Sequence, residues 1–532
     1  MAPRKRSLVS KPAKASSPAR TAPGISLPLR RYLFLTAACT GAAILIVEIL
    51  GAKILAPWFG TSHFVWTAQI AVTLISLACG YYIGGRWADH SAAPGKLYAA
   101  ILGAGLYLAT TILFVEPLAY KCLDFRLAVG SLLASAFLFF VPLTLLAMVG
   151  PYLIRVLTSS VETVGGNVGR LSAISTLGSV IGTVLIGYVL IPLCRNSVTL
   201  LITALFLAGL ALIYFLIWGR AGGAKSASVV TLLLTGAVGW IGVDQDSYRG
   251  RQTIELFRAN SNFGQLQVIQ FAGGPLRALE NDYLTQNTYD TSTRSSASSF
   301  TYLLQGLAHI YQTNIQDVLC IGLGVGIVPM QFATNGARVD VVEINPAVVP
   351  IAEEYFDLQP DKLNLFIEDG RYFLNHCTNR YDVVALDAFL GDCPPSHLMT
   401  REAFASIRRV LKPDGVLVIN SFASFHAGRD FLGTSLARTL GDVFGNIRIH
   451  GTHGGNTMFV ASPRPLAPLR EFDLSEVHER CATDTRDAIR SLIEPDTSRG
   501  ILLTDDYNPA EFHDALNREE LRRRMAREIT RL

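Results

Sequence analysis

Residues 318–326 read Val-Leu-Cys-Ile-Gly322-Leu-Gly324-Val-Gly326. Four apolar residues make a short strand of the buried parallel type, and the three alternating glycines make the turn that leaves it. A glycine loop placed directly after a strand lets backbone approach a ligand closely. The helix opening near Val328 aims its first amides at the same place. The next strand, 339–342, runs into Glu343, 21 residues beyond Gly322. An acidic side chain there can accept hydrogen bonds from ribose hydroxyls. The pair of features predicts a crossover that holds a nucleoside.

Working outward, apolar strands at 365–367, 383–386 and 416–419 follow at helix-length intervals. Such alternation predicts a doubly wound, Rossmann-like α/β sheet over 291–532. Before it, strand-like stretches at 253–258, 264–271 and 276–286 predict a small antiparallel β-lobe over 251–290. Ligands collect at the C-terminal strand ends of such sheets. Asp369, with Gly370 and Arg371, follows the third strand and Asp387 ends the fourth. Asp387 is read as a carboxylate facing the crevice, with a helix cap or turn as the competing role.

The composition is uneven along the chain. The whole has 532 residues, 50% hydrophobic and 17% charged, whereas soluble domains carry about 25% charged residues. Residues 1–243 hold 18 Lys and Arg against 5 Asp and Glu, a net of +13, and residues 244–532 carry −9. A single soluble domain, a disordered chain and a small disulfide scaffold are excluded. The basic pI of about 8.6 is no sign of nucleic-acid binding, because the positive excess sits in the apolar half. The eight cysteines form no CxxC pair and have no His at ligand spacing, so no metal site is expected. Cys377, Cys393 and Cys481 remain free to pair in an oxidising compartment.

The apolar half predicts an all-α, multi-span membrane bundle over 32–243 behind a basic, solvated tail at 1–31. A signal peptide fits less well, because the apolar run 32–50 is long enough to cross about 30 Å of hydrocarbon. Further runs lie at 64–84, 98–119, 127–149, 171–193, 197–218 and 227–243. The seventh offers 18 uncharged residues between Lys225 and Asp244, about 27 Å of helix. With the tail cytoplasmic, 14 Lys and Arg flank the spans inside and 4 outside, as the positive-inside rule requires. This predicts a multi-pass protein of the cell membrane with a cytoplasmic N-terminus. Seven crossings put the C-terminal half outside; six plus a surface-lying seventh keep it in the cytoplasm. Glu48 is expected to snorkel and pair with Lys53 or a neighbouring helix, with a functional role as the alternative. Gly178 and Gly182 predict a close helix contact. The stretch Gly80-Tyr-Tyr-Ile-Gly84-Gly85-Arg86-Trp87-Ala88-Asp89 resembles the short glycine-rich loop of major-facilitator transporters. The arginine-rich end, 521–532, reads as a solvated helix face.

Within the soluble half, Ser261-Asn-Phe-Gly-Gln265-Leu-Gln-Val, Asp282-Tyr-Leu-Thr-Gln286, the Gly322 loop, Val342-Glu343-Ile-Asn345, Glu368-Asp369-Gly370-Arg371, Tyr381-Asp382-Val-Val-Ala-Leu-Asp387 and Leu411-Lys-Pro-Asp-Gly415 occur in fixed order. This set resembles the spermidine synthase (polyamine aminopropyltransferase) family, in particular its members fused to an N-terminal multi-span domain. Leu503-Thr-Asp-Asp506-Tyr-Asn-Pro509 resembles a segment of those fused members.

The resemblance implies decarboxylated S-adenosylmethionine as co-substrate, a diamine or polyamine as acceptor, methylthioadenosine as product, and no metal. It implies that Gln265, Gly322, Gly324, Gly326, Glu343, Asp369 and Gly370 hold the nucleoside. Asp387 would accept the proton, and Asp392, Gln286 and Asp282 would face the amine. The chain departs from the family at Val325, where an Asp is usual, at Phe300-Thr301-Tyr302 in place of Tyr-His-Glu, and at Asn345 in place of Asp. Two further readings stay open: an S-adenosylmethionine-dependent transferase on another acceptor, and a transporter or sensor whose α/β domain only binds a nucleoside. A lipid bilayer is the expected partner, nucleic acid is not, and a homo-oligomer is left open.

Overall fold

A computed structural model describes residues 25–60, 62–91, 93–158, 164–219, 222–246, 253–389, 395–451 and 456–531. The predicted basic tail lies outside these residues up to position 24, as do Asp392 and Cys393.

Seven described helices are long and apolar enough to cross a membrane: α1 (Leu27–Phe59), α2 (His63–His90), α3 (Pro94–Cys122), α4 (Leu127–Leu157), α5 (Val164–Leu193), α6 (Asn196–Trp218) and α7 (Gly222–Gln245). Several buried hydroxyls bond backward along the helix, as Thr40 Oγ1 does to the Thr36 carbonyl (2.9 Å) and Thr203 Oγ1 to that of Thr199 (2.9 Å), and are thereby satisfied without water. A Cβ on Gly178 or Gly182 of α5 would overlap the Ala38 or Ala42 carbonyl of α1, so the small-residue face sets that close packing.

Two readings of this half are corrected. Residues 80–89 are no loop: they continue α2, and a Cβ on Gly84 would come within 2.7 Å of Met148 Cα in α4. Gly80 and Gly84 serve helix approach, and Asp89 pairs with Arg155 at 3.8 Å. Glu48 is half-buried in α1 and makes no ion pair with Lys53 among the described residues. The short seventh segment is a full helix packed against α3 and α6. Seven alternating helices therefore put the start of α1 and the start of the soluble half at opposite ends of the bundle.

The β-lobe is a five-stranded antiparallel meander: β1 (Thr253–Ser261), β2 (Gly264–Phe271), β3 (Leu276–Asn281), β4 (Leu284–Asp290) and β5 (Ser295–Ser296). The stretch 276–286, read as one strand, is divided by Asp282 and Tyr283. Their φ values of +46° and +62° form the two-residue turn that joins β3 to β4.

The α/β sheet contains β6 (Asp317–Ile321), β7 (Arg338–Glu343), β8 (Asn364–Ile367), β9 (Tyr381–Leu386), β10 (Leu411–Ser421), β11 (Asn446–Gly451) and β12 (Thr457–Ser462). Its order is β11-β12-β10-β9-β6-β7-β8, with β6 to β10 parallel and β11 and β12 antiparallel at one edge. Strands β6, β7, β9 and β10 are buried between two helical layers, which explains why they read as continuous hydrophobic runs, whereas β8, read at 365–367 as another such strand, is an edge strand with Phe366 and Ile367 exposed. The chain reverses direction across the sheet between β6 and β9, the position at which such folds open a crevice. Cys377 and Cys481 are buried free thiols.

The C-terminal helix α8 (Ala515–Arg531) ties the two halves together. Glu519 accepts from the Leu127 amide (2.9 Å), Arg522 donates to the carbonyls of Pro57 (2.8 Å) and Asp282 (3.2 Å), and Arg523 donates to that of Leu123 (2.7 Å). Within the basic end predicted as a solvated face, Arg522 and Arg523 thus reach carbonyls left open at helix ends of the bundle.

Candidate active site

The two loops at the reversal point are stitched together by backbone. The Gly322 amide donates to the Val342 carbonyl (2.8 Å) and the Asp387 amide to the Ile321 carbonyl (2.9 Å). Gly322 has φ +99°, and a Cβ there would collide with the Asp387 carbonyl. Gly324, at φ +55°, has no atom within 4 Å of where its Cβ would lie. The loop is therefore open to a ligand at Gly324 and closed against Asp387 at Gly322. Gly326, at φ +84°, caps the following helix, Ile327–Thr334, with its back to Leu358.

On one side of this loop, Glu343 Oε2 accepts from the Leu323 amide (2.9 Å) and Oε1 from the Asn345 amide (2.8 Å). Burial pushes the Glu343 carboxyl up, against the pull of these amides. Asp369 caps the helix Gly370–His376 through the Tyr372 amide (2.9 Å) and meets His397 Nε2 at 2.9 Å. Burial opposes its ionisation, but that amide and the imidazole outweigh it and hold the carboxyl below the usual range. A Cβ on Gly370 would lie 2.7 Å from Ile321, so only glycine fits beside the strand end. Glu343, Asp369, Gly370, Gln286 and Asp387 border one cavity of about 100 Å3.

The late segment braces this side. Arg371 donates to Asp505 (2.9 Å), Thr400 donates to Asp505 (2.6 Å), and Asn508 donates to the Ser396 carbonyl (2.9 Å). Residues 505–508 thereby fix the turn that presents His397 to Asp369.

On the other side a cavity of about 340 Å3 shares Gln286, Gly322, Gly324, Asp387 and Phe389 with the first. Asp387 is half-buried at their common wall. Burial pushes its pKa up to about 6, while the hydrogen bond from Asn420 acts to lower it. Asn420 Nδ2 donates to Asp387 Oδ1 (2.8 Å), and Asn456 Nδ2 donates to Asn420 Oδ1 (2.8 Å). Phe300, Phe389 and Phe422 form aromatic wall, the last two with ring centroids 5.1 Å apart. Among the described lining residues, Asp387 and Asp484 are the charged ones.

Gly322, Gly324, Glu343, Asp369, Gly370, Gln286 and Asp387 therefore meet in one crevice, and Gly326 supports their loop from behind. Gln265 and Asp282 do not join them. The Gln265 amide donates to Asp282 Oδ1 (2.9 Å), and Asp282 is half of the β3–β4 turn. Successive strand residues face opposite ways; Leu266 borders the crevice while Gln265 borders a separate cavity against the helices. Asp392 is outside the described residues. Val325, where the family has Asp, is packed in the apolar core, and Thr301 is buried with its hydroxyl on the Ser298 carbonyl (2.9 Å). Asn420, Asn456, His397 and Asp484 were not anticipated. Asn420 alone had a signal, as a polar residue at the end of an apolar strand.

Residues 298–446 match the family described as spermine/spermidine synthase domain. The chain is 37% identical over 132 residues to a polyamine aminopropyltransferase of Vibrio vulnificus, covering 24% of this chain and 44% of that protein. It is 36% identical over 140 residues to an N-terminal histidine N-methyltransferase of Emericella nidulans, covering 25% of this chain and 24% of that protein. The chain thus spans less than half the length of either relative. The crystal structure of spermidine synthase from Thermotoga maritima aligns with 46% of this chain and 86% of its own at 17% identity, with a TM-score of 0.38. The matched residues, 298–446, hold the glycine loop, Glu343, Asp369 and Asp387.

Proposed function

We propose that the chain is a membrane-anchored aminopropyltransferase that moves a propylamine group from decarboxylated S-adenosylmethionine to putrescine or a related amine. The observation that carries this reading is Asp387, half-buried on the wall shared by both cavities and oriented by Asn420. Glu343 and Asp369 have lone pairs left for ribose hydroxyls, and Gly324 leaves room for the nucleoside. The aromatic walls and Asp484 suit a cationic chain.

An amine of pKa about 10 must lose a proton before it can attack. Asp387 takes that proton, and the freed lone pair bonds to the propyl carbon. The carbon–sulfur bond breaks, its electron pair stays on sulfur, and the neutral thioether methylthioadenosine leaves. The apolar half anchors the domain, and donor and acceptor must be supplied on the side where it lies. Incubating purified full-length protein with both substrates tests the reading: methylthioadenosine forms if it is right. No product, under conditions where a soluble aminopropyltransferase works, rejects it.

A second reading is supported by Val325. With no carboxylate at that position the amine half of the site is less acidic, and one relative bears a methyltransferase name. Calorimetric preference for S-adenosylmethionine over its decarboxylated form would favour transfer of a methyl group instead.

A further inference from the structure

A separate cavity, of about 320 Å3, lies between the helix bundle and the β-lobe. That volume falls in the ~300–1,000 Å3 range of small-molecule sites. Its walls come from the helix ends nearest the soluble half: Ile54 and Trp58 of α1, Ile112, Val115 and Glu116 of α3, Leu200 of α6, and Gly242 of α7. Gln265 and Tyr283 of the β-lobe close it.

Three features define what it would hold. Gln265 is 5% exposed and its Oε1 has no hydrogen-bond partner, although the residue borders the cavity. A buried amide oxygen left unpaired is destabilising, and a donor entering the cavity relieves that. Glu116 is the charged group among the described lining residues, and no Lys, Arg or His offsets it. Trp58 and Tyr283 lie with ring centroids 5.7 Å apart, and Ile112, Leu113, Val115 and Leu200 supply aliphatic surface. Acceptor oxygens, a negative charge and aromatic faces select a cation with N–H donors; the aliphatic walls select an alkyl chain attached to it.

We propose that this cavity binds a primary amine carried on an aliphatic chain, at a site separate from the crevice. The β-lobe is the partition between them: Gln265 and Tyr283 face the bundle cavity, while Leu266 and Asn281 face the crevice. The amine comes either from the bilayer, as an amphiphile entering between helix ends, or from water.

Equilibrium binding to full-length protein in lipid nanodiscs tests the site with tritiated dodecylamine and tritiated cadaverine. Saturable binding of at least one probe is expected, reduced about tenfold or more by Glu116→Gln and by Gln265→Leu, unchanged by Asp387→Asn, and not displaced by dodecanol. Preference for dodecylamine identifies the bilayer as the source, and preference for cadaverine the aqueous phase. Binding that is non-saturable, indifferent to both cavity substitutions, or lost with Asp387→Asn overturns the proposal. Because Glu116 and Gln265 lie outside the crevice, methylthioadenosine release in the same preparations reports separately on the transfer reaction.

Discussion

Asn420 holds Asp387 by one hydrogen bond, Nδ2 to Oδ1 at 2.8 Å, and Asn456 in turn fixes the orientation of the Asn420 amide. The donor stabilises the ionised carboxylate against burial, so the pair sets the pH at which Asp387 becomes a base. Activity should rise as pH passes through about 6, where Asp387 ionises. Asn420→Leu removes the donor and moves that acid limb to higher pH, by roughly one to two units for a hydrogen bond to a charged group. Initial rates from pH 5 to 9 measure it; an unmoved limb rejects the positioning role.

Asp387→Asn keeps the shape of the wall and removes the proton acceptor. Turnover should fall about 10²–10⁴-fold, while donor affinity by calorimetry stays within a few-fold, because Glu343, Asp369 and Gly324 are untouched. Equal losses in binding and turnover would make Asp387 a structural residue.

Gly322→Ala places a Cβ against the Asp387 carbonyl at φ +99°. Backbone strain of this kind costs on the order of 1–3 kcal/mol, and relief requires the two loops to part. Lower thermal stability together with weaker donor binding is expected. Gly324→Ala, whose Cβ meets open space, should disturb binding more than stability.

His450 is fully buried in the α/β half, its ring facing the Tyr311 hydroxyl at 2.9 Å and the Ile489 carbonyl at 2.8 Å. Burial lowers its pKa from 6.5 to about 4, with Arg448 adding to the effect and the Ile489 carbonyl opposing it. Between these values the unfolded chain binds a proton that the folded chain refuses, so stability rises with pH and is lost on acidification. The melting temperature should therefore drop between pH 6.5 and about 4. His450→Gln should lower stability at neutral pH but flatten that dependence.

Seven helices set the start of α1 and the soluble half at opposite bundle ends, and 14 of the 18 flanking and tail basic residues fall in the sequence segments that seven crossings assign to the same side as the start of α1. If all seven helices cross, the positive-inside rule predicts a non-cytoplasmic C-terminus. A C-terminal alkaline phosphatase fusion should be active and a green fluorescent protein fusion dark. The reverse result would show that the bundle is inverted or that α7 does not cross.

Local chemistry in the chain was enough for much of this. The strand at 318–321 with its glycines, the acid 21 residues on, and the carboxylates at strand ends depend on spacing along one crossover, and these residues do meet in the crevice. The long apolar runs carried the helix number for the same reason: each helix is specified by its own composition. Residues 80–89 were misread because glycine marks turns and close helix contacts alike, and only the neighbour, α4, distinguishes them. Asp282 looked like an amine ligand because its place in a two-residue turn depends on the pairing of β3 with β4.

What the sequence by itself determined was the division into an apolar helical half and an α/β half, and the residues that line the glycine-loop side of the crevice. Tertiary structure decided the rest, because contacts between distant segments leave no local period. It joined Asn456 to Asn420 and Asp387, set His397 on Asp369 through a brace at 505–508, and buried Val325 in the core. It also turned Gln265 away from the crevice and toward the bundle, since a residue's strand neighbours fix which face it shows but not what that face meets.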